Sequence, residues 1–100
     1  MGLKLRHLTR AANDLKDVRA YLIDNASPAV ANRVRDDLRE RINRLLHRPQ
    51  IGKIVAGTDV RVLSASRYPY RIYFRADAEY ITILHIRHSA RRTPDIDELG

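Results

Sequence analysis

The chain has no cysteine, so neither a disulfide framework nor thiolate chemistry is open to it. That usage fits a reducing compartment, and the cytoplasm is the expected location. No apolar run is long enough to cross a membrane, and the N-terminal residues show no small-residue cleavage site. Neither a signal peptide nor a membrane partner is therefore expected. Repeats, low-complexity blocks and flexible linkers are also missing. His7, His47, His85 and His88 have no spacing suited to zinc, and no metal or cofactor is expected. Lysine is scarce, with only Lys4, Lys16 and Lys53 among 19 Lys+Arg.

What remains is arginine. The net charge is +7, against 12 Asp+Glu, and the guanidinium fork suits carboxylate and phosphate bidentately. A codon bias toward arginine would produce the same composition, so distribution says more than the total. Arg61, Arg67, Arg71, Arg75, Arg87, Arg91 and Arg92 face only Asp77 and Glu79 between positions 61 and 92. The tail beyond them holds Asp95, Asp97 and Glu98 and no base. At 100 residues, 44% hydrophobic and 31% charged, the chain reads as a single globular domain spanning 1–100. A chain of this size buries roughly two-thirds of its unfolded surface, enough for one modest core.

Leu3 to His7 alternates and predicts a first strand. Thr9 is placed to cap a helix from about Arg10 to Asn25, with Ala11, Leu15, Val18 and Leu22 on one face. Ser27 as N-cap and Pro28 at the first helical position restart the chain into a second helix reaching about His47. Its stripe is Val30, Val34, Leu38, Ile42 and Leu45, with Glu40 and Arg44 as an exposed pair, and Pro49 and Gly52 end it. The short connection predicts an antiparallel helical hairpin. Three strands follow, Val60–Ala65, Tyr70–Arg75 and Tyr80–His88, the last two joined by a turn at Ala76-Asp77-Ala78-Glu79. Tyr80–His88 is apolar or β-branched on both sides, which predicts a central position between the N-terminal strand and its hairpin partner. The expected fold is α+β, in the order β-α-α-β-β-β, a helical hairpin packed on one face of a small, mainly antiparallel sheet.

Alternation in the hairpin sends Tyr70, Ile72 and Phe74 one way and Arg71, Tyr73 and Arg75 the other. The open face thus collects Arg71, Tyr73 and Arg75, with Arg61, Arg67, Arg87, His88, Arg91 and Arg92 expected nearby. Arginine pairs with phosphate and tyrosine stacks on bases, so such a face suits nucleic acid. It suits an acidic protein segment equally, and a plain solvated strand face would look the same. Metal-free RNA cleavage needs an acid, a base and cations for the phosphorane. Arg71, Arg75 and Arg87 would supply the cations and His88 the titrating group, but Asp77 and Glu79 fall in the turn. A histidine at a strand end also serves simply to hydrogen-bond the departing chain. On the helices, Ala11, Ala12, Ala20, Ala29 and Ala31 permit close packing. Tyr21, Ile23 and Leu46 could line a groove for an amphipathic partner.

The layout, together with Arg41-Ile-Asn-Arg-Leu-Leu-His-Arg-Pro-Gln-Ile-Gly52, Val60-Arg-Val-Leu63, Tyr70-Arg-Ile-Tyr-Phe-Arg75 and Ile83-Leu-His-Ile-Arg-His88, resembles the RelE/ParE superfamily of type II toxin–antitoxin toxins. The resemblance covers nearly the whole chain and is closer to the ParE branch. It implies a small basic toxin held inactive by a cognate ParD-like antitoxin, whose tail covers the helices and sheet. Leu15, Val18, Tyr21, Leu22, Val34 and Leu38, with Arg71 and Arg75, are the implied antitoxin contacts. ParE-like proteins inhibit DNA gyrase by binding rather than by catalysis. The target surface so implied is Arg61, Arg67, Arg71, Tyr73, Arg75, Arg87, His88, Arg91 and Arg92. RelE-like relatives instead cut mRNA on the ribosome, which here would leave His88, Arg71, Arg75 and Arg87 as a metal-independent catalytic set. The absence of sheet lysines, of a carboxylate there and of a tyrosine after His88 departs from that pattern. A degenerate member that only binds its antitoxin and acts in autoregulation is the third alternative.

Overall fold

Leu3 and Leu5 turn inward while Lys4 and Arg6 stay exposed, giving β1 (Lys4–His7) in this computed structural model. The structure describes residues 2–65 and 67–90. The chain passes without a loop into α1 (Thr9–Asn25), and Leu8, rather than Thr9, occupies the N-cap. The reason lies in the preceding strand. The Leu8 N–H is already bonded to the Ile83 carbonyl at 3.0 Å, and the Leu8 carbonyl accepts from Ala12, so Thr9 is inside the helix. Two residues then separate α1 from α2 (Pro28–Leu45). Here the cap is as expected: Ser27 Oγ accepts from the Val30 N–H at 3.1 Å, and Pro28 needs no partner at the first helical position. Arg44 meets Glu40 at 2.6 Å, an exposed pair worth about 0.3–0.5 kcal/mol.

The remaining strands are β2 (Lys53–Ile54), β3 (Arg61–Ser64), β4 (Tyr70–Ala76) and β5 (Tyr80–His88). The order across the sheet is β1-β5-β4-β3-β2. Among the described residues only β1–β5 is a parallel pair, and β5 is flanked by β1 and β4, as its two-sided hydrophobicity requires. The two-residue β2 was not expected, because a pair of residues carries no periodicity; pairing with β3 creates it. Both helices lie on one face. Ala11, Val34, Leu38, Ile42 and Leu45 pack there against Ile72, Phe74, Ile81, Ile83 and Ile86. Each fully buried aliphatic or aromatic side chain contributes roughly 1.5–3 kcal/mol, so this layer holds most of the fold's stability.

The opposite face is less open than alternation predicts. Val60, Tyr73 and Leu84 form a second buried cluster, flanked by Val55 and Val62. A tight loop brings Val55 and Val60 over the sheet: Val55 donates to the Val60 carbonyl at 2.8 Å, and Thr58 Oγ bridges the Val55 carbonyl and Val60 N–H. Gly57 supplies the positive φ of 79° that this loop requires. Leu84 is the extra residue of a β-bulge. Tyr73 pairs with His85 and Phe74 with Ile83, so Leu84 has no partner across the ladder.

Gly52 sits where a Cβ would lie 2.8 Å from Phe74 Cε1 and 3.0 Å from the Val62 carbonyl oxygen. Phe74 is fully buried and cannot yield, so Gly52→Ala should cost about 1–3 kcal/mol in chemical denaturation. The β4–β5 turn makes a second prediction. Asp77 accepts from the backbone N–H of Glu79 and of Tyr80, both at 2.8 Å, and these two bonds, in that order, hold its carboxyl below the usual value. A carboxyl depressed in the fold stabilises it above the unfolded value and ceases to do so as pH falls through the folded one. Asp77→Ala should therefore be less stable than its parent at pH 7. The gap should close in urea titrations taken progressively below pH 3.8.

Candidate functional site

Directly paired residues point to the same side, so the strand register assigns each side chain to a face. Away from the helices, β4 and β5 set Arg71 opposite Arg87, Tyr73 opposite His85 and Arg75 opposite Thr82. Val62 and Ser64 of β3 continue this face beside Tyr73 and Arg71, and Lys53 of β2 lies opposite Val62. At the other margin, Arg6 of β1 is level with Thr82. Cations thus stand at both ends of a strip whose middle is the Val60–Tyr73–Leu84 cluster.

These cations differ in their ties. Arg75 Nε lies 3.0 Å from Asp59, a carboxylate of the β2–β3 loop, so part of its charge is answered within the chain. Arg6 donates to Thr82 Oγ1 at 2.8 Å and stacks 4.2 Å over the Tyr80 ring. Arg87 donates to His85 Nε2 at 2.9 Å, and His85 Nδ1 meets the Asp14 carboxylate of α1. Among the described residues, the half-buried Arg19, Arg41, Arg61, Arg75 and Arg87 each have an acceptor within the chain. Arg71 is likewise half-buried and has none there. It borders a cleft of about 520 Å³ with Lys53, Val62, Ser64 and Tyr73.

Several expected positions shift. Tyr73 is 1% exposed and belongs to the second core, so its ring is not free to stack on a ligand. Arg61 is paired with Phe74, which turns it to the helix-bearing side, where Nη1 donates to the Gly52 carbonyl at 2.9 Å. His88 is paired with Tyr70 and lies edge-on to that ring at 5.5 Å, also on the helix side. It is therefore separated by the sheet from Arg71 and Arg75, whereas Arg87 lines one cleft with it at the end of β5, so these four are not gathered into one catalytic group. Its Nδ1 accepts from the Ala90 N–H at 3.0 Å, tying the departing chain. Arg67 is exposed in the β3–β4 connection, and Arg91 and Arg92 lie outside the described residues. Lys4, Arg6, Asp14 and His85 were passed over. The alternation of Leu3 to His7 could have put Lys4 and Arg6 on the face, but no local pattern announces Asp14.

On the other side of the molecule, a groove of about 480 Å³ runs between α1, α2 and β1. Leu5, Leu15, Val18, Ala31, Leu38 and Ile42 line it, together with Lys16, Arg19, Arg35 and Arg39. Leu15, Val18 and Leu22 are half-buried, whereas Val34 is 2% exposed and lies within the core rather than in the groove. His7 lines the same groove, and burial lowers its imidazole pKa. Tyr21, 61% exposed, borders a different cleft between α1 and the end of β5, with Asp14, Asp17, Tyr70 and Arg87. There burial, with a smaller contribution from Tyr21, pushes the Tyr70 phenol up.

With this geometry in place, comparison with known proteins is informative. The profile of the ParE toxin of type II toxin–antitoxin systems (parDE) matches residues 5–93. A solved chain of the chromosomal ParDE toxin–antitoxin system from P. aeruginosa is 25% identical, with a TM-score of 0.77. The similarity covers 86% of this chain and 95% of that one. No curated protein sequence matches.

The two aromatic and cationic neighbours on β4 should separate cleanly by mutation. Tyr73→Ala should cost about 3–5 kcal/mol, as truncation of a fully buried ring does. Arg71→Ala, which removes no bond within the described chain, should stay within about 0.5 kcal/mol of the parent by urea denaturation.

Proposed function

The chain belongs to the family of ParE toxins of type II toxin–antitoxin systems, and from that premise we propose that it inhibits DNA gyrase by binding it and is neutralised by a ParD-like antitoxin. The family match over residues 5–93 carries this reading. The site chemistry supports inhibition by contact rather than cleavage. His85 has both ring nitrogens engaged, Tyr73 is enclosed, and His88 lies across the sheet from Arg71 and Arg75. What the helix-free face offers is charge: Arg71 and Arg87 at paired positions of β4 and β5, with Lys53, Arg75 and Arg6 around them. Guanidiniums in such an array suit carboxylates on a protein surface.

The antitoxin is assigned to the groove between α1, α2 and β1, with Leu15, Val18 and Leu38 at its apolar floor. Lys16, Arg19, Arg35 and Arg39 along the same groove favour an acidic amphipathic segment. Mutual attraction across a net charge of +7 should make association fast and salt-sensitive. The cytoplasm, where gyrase and the antitoxin meet, is the proposed site of action.

Purified protein should abolish gyrase supercoiling while leaving mRNA intact in a translating extract. Arg71→Ala should raise the concentration for half inhibition roughly tenfold, the scale of a central arginine contact. Codon-associated mRNA cleavage with active gyrase would overturn the reading. Inactivity in both assays with retained antitoxin binding would leave a chain that acts only through its antitoxin.

A further inference from the structure

Asp14 extends from α1 to the edge of β5, beyond the point where pairing with β1 ends. Its carboxylate accepts from the Ile86 N–H at 3.0 Å, standing in for the absent strand, and also meets His85 Nδ1. On the far side of the ring, Arg87 Nη2 lies 2.9 Å from His85 Nε2. A guanidinium has donors and no acceptor, so Nε2 must accept. The single proton of a neutral imidazole then sits on Nδ1, aimed at the carboxylate. Donation runs one way, from Arg87 through His85 to Asp14.

The ring itself is held. His85 is 8% exposed and lies edge-on to Tyr73, with centroids 6.5 Å apart. A fixed Arg87 matters because Arg71 stands directly opposite it and like charges in that relation repel. We infer that Asp14 and His85 are positioning residues: they set the imidazole tautomer that anchors Arg87 beside Arg71, presenting a preformed two-guanidinium grip for a carboxylate of the target. The grip as a target contact rests on the gyrase reading, whereas the anchor does not. Preorganisation matters because a side chain already ordered in the free protein loses less entropy on binding.

Histidine-selective long-range proton–nitrogen NMR near pH 8 tests the anchor directly. Wild-type protein should show His85 protonated on Nδ1, and Asp14→Ala should move the signal toward the Nε2–H form. An Nε2–H ring in the wild type overturns the proposal whatever the target. A double-mutant cycle in gyrase supercoiling tests its consequence. His85→Phe keeps a ring against Tyr73 but lacks both nitrogens, and should weaken inhibition roughly tenfold when Arg87 is present. In an Arg87→Ala background the same change should cost less than about twofold. Equal losses in both backgrounds, at matched thermal midpoints, would mean that His85 acts through stability and would overturn the proposal. If wild-type protein leaves gyrase active, the functional reading fails, and the tautomer measurement still decides the anchor.

Discussion

One extra residue in β5 governs the molecule. Ile81 and Ile83 face the helices, and uninterrupted alternation would carry His85 and Arg87 to that side as well. Leu84 breaks the count. Because it has no partner across the ladder, the strand changes parity, and Ile86 rather than His85 enters the main core. Leu84 drops into the second cluster, and Arg87 emerges beside Arg71. The hydrophobic layer under the helices and the charged surface beyond it are therefore products of the same irregularity.

The second cluster is what lets a sheet face bear so much positive charge without becoming a flat, wet plate. Val60, Tyr73 and Leu84 exclude water from the centre, and the loop from Val55 to Val60 is pinned over them by Thr58. The cations are pushed to the margins, where each is held differently. Arg75 leans on Asp59, Arg6 on Thr82 and Tyr80, and Arg87 on His85. Arg71 is the half-buried arginine without such a hold among the described residues. A surface of this kind gives an incoming acidic group defined geometry rather than diffuse attraction.

The two faces differ in curvature as well as charge. The helix side supplies an apolar groove with cationic walls, suited to an amphipathic segment, and the sheet side supplies paired guanidiniums around a dry centre. Asp14 joins them, since it stands on α1 but ends at His85 on the opposite face. A helix that packs on one side of the sheet thereby touches the chemistry of the other.

Much was legible from the residues in order. Ser27-Pro28 marks a helix start because the cap bond is local, and the Val34–Leu38–Ile42–Leu45 stripe marks a buried face because helical geometry is regular. Two-sided hydrophobicity in Tyr80–His88 foretold a central strand for the same reason. Thr9 misled because the bond that displaces it as cap comes from Ile83, far along the chain. Arg61, His85 and His88 could not be assigned to their faces from alternation, since strand pairing and the bulge at Leu84 set those sides; Tyr73 takes the face alternation gives it, but its burial comes from Val60 and Leu84. Short-range rules thus suffice for elements whose stabilising contacts lie within a turn or two. Which side chains meet on a sheet face depends on register, and register is decided only when distant strands bury their apolar surfaces together.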